Sequence, residues 1–360
     1  MASARGRSLT LISCTRRMGW DNMLAYLRYL SERFVVFAAT IFISITLVFF
    51  VPRLVPGHPL TAVFSRMADV GGSLNAPQLI EEYNRIFGLD KSLWEQYVRF
   101  LRELAQGNLG YSIGSFPSRV SDILRSAIPW TIGLLTLTTL ISWVLGSLIG
   151  AVVGWRGGKS RFFQALVPAA LVLYSIPYYI LAIILIFLFA FQWPIFPLSG
   201  AYSVGLRPEL SLDFALDVLH HAALPALSMI VVSLGWWFLS MRSLITSLKG
   251  EDYILQAEAK GLSNRRILWS YAFRNALLPQ ATGLAISLGR IVGGALITEV
   301  IFAYPGLGWV IYNSITSIDF PVIQGGVLLI IFAVALANFV IDMVYPLIDP
   351  RIRYERAGRG

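Results

Sequence analysis

Residues 154–160 come nearest to a nucleotide-binding motif in this chain, because they end in Gly157-Gly158-Lys159-Ser160. A phosphate-binding loop has the pattern G-x-x-x-x-G-K-[ST] and follows a strand, and its lysine contacts the phosphates. Here the first glycine, Gly154, is one residue too close to the lysine, and the stretch follows an apolar helix. We therefore interpret it as a short basic turn, and we predict no nucleotide site on this chain.

The cysteine and histidine residues give no more support to metal or thiol chemistry than residues 154–160 give to nucleotide binding. The chain has one cysteine, Cys14, and three histidines, His58, His220 and His221. One cysteine cannot form an internal disulfide, and these residues lack the Cys and His spacings of zinc sites. The sequence therefore predicts no catalytic residue, no metal site and no cofactor on this chain.

Two charged side chains lie within the apolar stretch 281–302, Arg290 near its middle and Glu299 near one end. A guanidinium at the centre of a bilayer costs at least about 2.5–3.5 kcal/mol on insertion scales, so Arg290 must face water or a partner. Arg290 either lines a solute passage or forms a buried pair with another helix. Glu299 is either a gate or binding-protein contact, or an interfacial carboxylate in reach of water. Both residues are candidates for a translocation pathway.

Composition identifies the elements that must position these groups. Hydrophobic residues make up 56% of the 360 residues and charged residues 14%, whereas soluble domains average about 45–50% and 25%. The apolar residues form six runs, each long enough for a helix to cross a hydrocarbon core of about 30 Å. Because a helix satisfies its own backbone hydrogen bonds, we predict an all-α polytopic membrane protein with six transmembrane helices. They are placed at 34–52, 130–153, 165–189, 224–241, 281–302 and 322–346.

The basic residues predict how these helices are oriented. Segment 1–33 carries six basic residues, loop 154–164 three and the tail 347–360 four, whereas 303–321 carries none. By the positive-inside rule both termini are cytoplasmic, and the chain is a multi-pass protein of the cytoplasmic membrane, in contact with lipid. The net charge of +9 therefore reflects orientation and does not indicate nucleic-acid binding.

The long segment 53–129 lies outside in this topology and contains two predicted helices. The first follows a cap at Asn75 and ends at Gly88, and the second is capped by Asp90 and ends at Gly107. Both helices carry an apolar stripe at helical spacing. We predict a small helical subdomain that lies on the membrane or on a partner.

The longest inner loop, 242–280, is too long for a simple connection. Acidic residues at 251–252 and a basic Lys260 suit the dipole of a short helix, and Gly261 can take the left-handed conformation that ends it. The pattern predicts two short helices that meet at this glycine, the second capped by Ser263. Four apolar residues form a small face outside the membrane, which is typical of a docking surface: Tyr253, Ile254, Ala257 and Leu262.

This loop resembles the cytoplasmic motif of the permeases of ATP-binding-cassette (ABC) importers, specifically of the dipeptide, oligopeptide and nickel class. The residues that carry the resemblance are Asp252-Tyr253, the run 257–262 and the run 274–279. Further blocks follow the family in order over most of the chain from about residue 23. They are 54–59, 87–90, 96–97, 107–110, 224–227, 299–308 and 349–353.

The resemblance implies a fold, a mechanism and a set of partners. In the family this loop is a coupling helix in a groove of the cytoplasmic ATPase, and the matching residues here are Tyr253, Ala257, Glu258, Ala259, Lys260, Gly261 and Leu262. The chain resembles the first permease of a pair, which implies a homologous second permease, an extracytoplasmic substrate-binding protein and two ATPase subunits that bind ATP and Mg. The expected cargo is di- or oligopeptides, with nickel, glutathione or oligosaccharides as alternatives. A secondary active transporter is the alternative from another class, although the repeated halves typical of that class are not evident.

Overall fold

The computed structural model describes residues 6–54, 76–157, 161–209, 211–289 and 296–348, and these are almost entirely helical. Within these ranges the strand-like pairing is limited to one isolated bridge, between Tyr111 and Arg119. The predicted all-α class is confirmed. The helices are α1 (Gly6–Leu54), α2 (Ala76–Phe87), α3 (Leu93–Ala105), α4 (Val120–Arg156), α5 (Arg161–Ser175), α6 (Tyr178–Ile186), α7 (Leu212–Leu248), α8 (Asp252–Ala259), α9 (Asn264–Arg266), α10 (Arg274–Gly289), α11 (Leu296–Ile301), α12 (Leu307–Thr316) and α13 (Phe320–Ile348).

In the part of the chain that the structure describes, four helical segments are long and apolar enough to cross a membrane: Arg28–Leu54, α4, α7 and Phe320–Val340. Helices α5 and α6, the latter with its π-helical extension to Gln192, form a fifth candidate that bends by 91° at residues 176–177. The predicted span 281–302 is divided between α10 and α11, and residues 290–295 lie outside the described ranges. The polytopic helical architecture is confirmed, and the count of six stays a prediction.

Helix α1 is longer than the predicted first span of 34–52, since it runs without a break from Gly6 to Leu54. It packs against α13 through stacked rings, with the centroids of Phe37 and Phe339 5.1 Å apart. At the same end of the pair, Arg33 and Asp342 form a half-buried ion pair with an N···O distance of 3.2 Å. The first and last membrane helices are therefore in contact around residues 33–37 and 339–342.

Helices α4 and α7 form the centre of the bundle because three glycines on α4 let the two backbones touch. A Cβ at Gly146 would lie 2.6 Å from the Cβ of Trp237, and a Cβ at Gly150 would lie 2.5 Å from the carbonyl oxygen of Phe238. Gly154, one turn further, would meet α7 in the same way. Small residues four apart are the usual means of close helix packing in membranes. Any side chain at these positions would push α7 away.

The two helices predicted in 53–129 are present as α2 and α3, and they end as expected before Gly88 and Gly107. The predicted cap of the second helix is wrong. Ser92, not Asp90, caps α3, in a capping box where Ser92 and Glu95 bond to each other's backbone N–H groups. The Ser92 hydroxyl and the Ser92 backbone N–H both donate to the Glu95 carboxylate and lower its pKa. The box fixes where α3 begins.

Helix α3 rests on the end of α1 that the topology places outside. The hydroxyl groups of Tyr97 and Thr46 are 2.8 Å apart, and the ring of Tyr97 lies 5.1 Å from that of Phe49. Tyr97 and Phe49 are buried by this contact. Helix α3 of the subdomain therefore lies on the chain's own first membrane helix.

Candidate functional site

The predicted coupling segment is the short helix α8, which connects α7 to the long helical stretch that begins with α9. Its C-terminus is closed by two backbone hydrogen bonds, from Gly261 N–H to the Glu258 carbonyl (2.9 Å) and from Leu262 N–H to the Ala257 carbonyl (3.3 Å). This pair of bonds is a Schellman motif, in which the residue after the cap must be left-handed. Gly261 has φ +71°, as predicted. The glycine therefore sets the sharp corner after α8.

The second element at this corner differs from its prediction. Ser263 occupies the N-cap position, but its side chain makes no capping hydrogen bond. The helix that follows is long: α9 continues through a π-helical segment, Ile267–Phe273, directly into α10. The expectation of two short helices is therefore wrong. The segment after the corner is the start of a continuous helical stretch that runs to Gly289, and its first residues pack against α4 and α7.

The apolar face of α8 points into the protein. Ile254 is 0% exposed and Ala257 is 3% exposed, and both belong to a core cluster with residues of α4, α7 and the π-helical segment. Tyr253 and Leu262 are half-buried against the same cluster. The interpretation of these four residues as an exposed docking face is wrong, because the chain's own membrane helices cover it. The coupling role of the segment is not tested by this burial and stays a prediction.

The opposite face of α8 is open. Leu255 is 50% exposed, and the run 258–261, Glu258-Ala259-Lys260-Gly261, is exposed throughout. A large apolar side chain flanked by one acidic and one basic group is thus presented away from the bundle. An exposed apolar side chain beside charges is suited to a protein groove that combines an apolar pocket with a polar rim.

A lysine at the end of α7 fastens this region to α4. Lys249 donates from Nζ to the carbonyl oxygen of Trp155 (2.6 Å) and lies 5.4 Å from the centre of its ring. Trp155 also belongs to the cluster that holds Ile254. The C-terminus of α4, the end of α7 and helix α8 are therefore in contact at one place.

Glu299, the first of the two pathway candidates, lies on α11 and is completely buried. Its Oε1 accepts a hydrogen bond from the Thr131 hydroxyl (2.7 Å), and its Oε2 accepts one from Gly308 N–H (2.6 Å). Leu307 N–H donates to the same Thr131 oxygen (2.8 Å). Glu299 and Thr131 thus satisfy the first N–H groups of α12, whose N-cap, Gly306, has no side chain to do so.

Two glycines explain this burial. A Cβ on Gly306 would overlap the Glu299 carboxyl group, and a Cβ on Gly308 would lie 2.9 Å from Oε2. The chain can therefore fold directly over the carboxyl group. The interpretation of Glu299 as a carboxylate in reach of water is wrong for this chain, since no part of the residue is exposed. Its role in a pathway stays a prediction.

Arg290, the second pathway candidate, lies outside the described residues. Asp342, the acidic residue of the last predicted span, is paired with Arg33 and also accepts a hydrogen bond from the Tyr29 hydroxyl at its carbonyl oxygen. The ionic partner of Asp342 is therefore on α1.

A second buried carboxylate was missed by sequence reasoning. Asp319, 4% exposed, accepts hydrogen bonds from the Ser112 hydroxyl and from the N–H groups of Ile113 (3.1 Å) and Gly114 (3.0 Å). It joins the start of α13 to the loop that precedes α4. The one signal in the sequence is that Asp319 is the single charged residue of the segment 303–321.

Comparison with known proteins agrees with this architecture. Residues 146–354 match the family described as "Binding-protein-dependent transport system inner membrane component". The di/tripeptide transport system permease protein DppB of Pseudomonas aeruginosa is 33% identical over 344 residues, which cover 92% of this chain and 100% of that protein. The dipeptide transport system permease protein DppB of Escherichia coli K12 is 31% identical over 333 residues, covering 88% and 96%. A probable peptide ABC transporter permease, y4tP of Sinorhizobium fredii, is 30% identical over 328 residues, covering 91% and 99%.

The family match covers more than half of the chain, and the relatives are matched along nearly their whole length. The resemblance inferred from the motifs is therefore confirmed. The chain belongs to the inner membrane permease subunits of ABC importers, in the dipeptide and oligopeptide family.

Proposed function

We propose that this chain is one half of a heterodimeric permease that carries di- or oligopeptides across the cytoplasmic membrane, with both of its termini in the cytoplasm. As a permease subunit it is a transporter component and not an enzyme, and ATP is hydrolysed on partner subunits. The proposed cargo is supported by the relatives, which are described as di/tripeptide, dipeptide and peptide permeases. A homologous second permease, two ATPase subunits and a substrate-binding protein complete the proposed assembly.

The single observation that carries the mechanism is the two-sided character of α8. Its inner residues, Ile254 and Ala257, are buried among α4, α7 and the π-helical segment. Its outer residues, Leu255 and the run 258–261, are exposed. We therefore assign the ATPase contact to the outer face, with Leu255 and Ala259 as the apolar part and Glu258 and Lys260 as the rim.

This arrangement supplies a physical route for ATP-driven movement. Protein interiors are close-packed and of low compressibility, so a displacement of α8 is passed on to the residues packed against it. The cluster around Ile254 contains Trp155 of α4, Met241 of α7 and Ile267 of the π-helical segment. Closure of the ATPases would thus move α4, α7 and the π-helical segment together and switch the passage between outward and inward openings.

On the outer side, we propose that the binding protein delivers its peptide to the surface formed by α2, α3 and the neighbouring loops. The loops there are fixed by Glu299 and Asp319, which each accept hydrogen bonds from backbone N–H groups. Arg290 and Glu299 remain the proposed pathway residues. For Glu299 the proposed role is to hold the entrance in shape, since its carboxyl group is fully occupied by hydrogen bonds within the chain.

The test is affinity purification of the chain from its native membrane, followed by identification of the proteins that remain bound. We expect a second permease and ATPase subunits to be recovered. Leu255→Asp and Ala259→Asp should abolish ATPase recovery and leave the permease pair intact. Val204→Asp, at a fully exposed position in the loop between α6 and α7, introduces the same charge elsewhere and should change neither.

Two results would contradict the proposal. The first is unchanged ATPase recovery with Leu255→Asp, which would remove the outer face of α8 from the interface. The second is uptake of a solute by the purified chain alone, without ATP, which would indicate a secondary transporter.

A further inference from the structure

A cavity of about 100 Å³ lies where the C-terminus of α4 meets α9 and the first turn of the π-helical segment. Its polar lining comes from Arg156 on α4 and from Asn264 and Arg265 on α9, and two tryptophans, Trp155 and Trp269, form its apolar walls. Among the described residues, no acidic side chain lines it. The cavity is thus positively charged, with roughly three times the ~30 Å³ that a water molecule occupies in the liquid.

The two arginines form no ion pair with any residue that the structure describes. Among the described residues, the ion pairs of arginine and lysine join Arg28 to Glu32, Arg33 to Asp342 and Arg99 to Glu103, and neither Arg156 nor Arg265 takes part in one. Guanidinium groups form paired, charge-assisted hydrogen bonds with phosphate oxygens, which makes them well suited to a phosphate group. The chemistry of the lining therefore favours a phosphate.

The surroundings of the cavity indicate where this phosphate comes from. Arg156 and the cavity residue Val152 continue a line of exposed apolar side chains on α4, in which Leu145 is 42%, Leu148 40% and Ile149 39% exposed. Positions three or four apart lie on the same side of a helix, so this line runs along the membrane span directly to the cavity. A ligand that fills both would have a phosphate at one end and hydrocarbon chains at the other.

The tryptophans place the cavity at the correct depth for such a ligand. Trp155 is the penultimate residue of α4, which is itself one of the membrane-spanning candidates, and Trp269 lies opposite it on the π-helical segment. Tryptophan is enriched at the level of lipid headgroups, and basic pockets between membrane helices bind anionic headgroups. We propose that the cavity binds the headgroup phosphate of one anionic phospholipid, whose acyl chains lie along Leu145, Leu148 and Ile149.

The proposal is tested by lipid titration of the assembled transporter, read by native mass spectrometry. The complex is freed of lipid in detergent and titrated with phosphatidylglycerol or, separately, with phosphatidylcholine. We expect preferential retention of phosphatidylglycerol by the wild type. The double variant Arg156→Ala/Arg265→Ala should bind phosphatidylglycerol about tenfold or more weakly, because it loses two charge-assisted contacts.

A matched control is provided by Arg161→Ala/Arg266→Ala, which removes the same charge from two neighbouring exposed positions that do not line the cavity. This control should bind phosphatidylglycerol as the wild type does. Equal loss in both double variants would overturn the proposal, because it would indicate a general charge effect. Retention of phosphatidylglycerol by Arg156→Ala/Arg265→Ala would also overturn it.

Two further outcomes distinguish other occupants. If inorganic phosphate alone displaced phosphatidylglycerol at comparable concentration, the site would be one for a free anion, and the lipid proposal would fail. If Arg156→Ala/Arg265→Ala lost its ATPase subunits but kept its lipid, the cavity would be part of the protein interface, and the lipid proposal would fail again. Neither outcome alters the assignment of α8 to the ATPase contact, which has its own variants.

Discussion

Replacing Thr131 by valine should open the loop between α11 and α12. The Thr131 hydroxyl makes two bonds in the buried site, since it donates to Glu299 and accepts from Leu307 N–H. Thr131 itself is 0% exposed, so water cannot replace the lost partner. Valine keeps the shape of threonine and removes both bonds, which leaves Leu307 N–H buried without an acceptor.

The size of the effect follows from these two losses. Burial of an unpaired N–H costs about 1–3 kcal/mol, and a neutral hydrogen bond contributes about 0.5–1.5 kcal/mol. Their sum, about 1.5–4.5 kcal/mol, corresponds to roughly a ten- to two-thousand-fold rise in the opening constant of the loop. Hydrogen exchange of the Leu307 and Gly308 amides, measured by mass spectrometry on the complex in nanodiscs, reports this opening directly.

The control lies on the same helix. Thr138, two turns along α4, is equally buried, but its hydroxyl donates only to the carbonyl of Leu135 in its own helix. Thr138→Val should therefore leave exchange at residues 307–308 unchanged. If Thr131→Val and Thr138→Val gave the same protection there, the Glu299 and Thr131 contacts would not hold the loop, and the reasoning would be refuted.

Three further predictions concern the corner, the second carboxylate and the helix contact. Gly261→Ala should weaken ATPase recovery, because an alanine in the left-handed conformation costs about 1–2 kcal/mol. Gly261→Asn should have a smaller effect, since asparagine tolerates this conformation. Equal ATPase recovery with the two variants would contradict the role of the turn after α8. Asp319→Asn should lower the melting temperature of the complex by removing an acceptor from the segment 112–114, and Asp213→Asn, at an exposed position on α7, should not. Gly150→Ala should reduce the yield of folded protein because its Cβ meets α7, whereas Gly133→Ala on the same helix meets nothing and should be neutral or stabilising.

Features encoded by neighbouring residues were predictable from the sequence. The end of α8 at Gly261 and the ends of α2 and α3 before Gly88 and Gly107 were each placed correctly. All three depend on a glycine that follows an amphipathic stretch, so the signal is contained within a few residues. The apolar runs likewise predicted a polytopic helical architecture, because the bilayer imposes the length of its helices, whereas the bounds and number of the spans stay predictions.

Features that depend on distant contacts were not predictable in the same way. The spacing of residues on α8 gives an apolar face, but it does not say whether a partner or the chain itself covers that face. The answer lies in Met241 and Ile267, on two other helices. Asp319 was missed for a similar reason, since its donors lie about 205 residues earlier in the chain, and two of the three are backbone N–H groups, which no residue type identifies.

The buried contacts of Glu299 and of the inner face of α8 indicate how the two ends of the permease move together. At one end, Ile254 anchors α8 in a cluster with α4 and α7. At the other end, Thr131 of α4 donates a hydrogen bond to the Glu299 carboxyl group and accepts one from Leu307 N–H at the start of α12. Helix α4 therefore contacts both α8, the proposed ATPase contact, and the loop between α11 and α12 at the proposed entrance. Because Gly146, Gly150 and Gly154 hold α4 against the backbone of α7, a push at one end is carried to the other by a rigid pair of helices and not by a flexible single one.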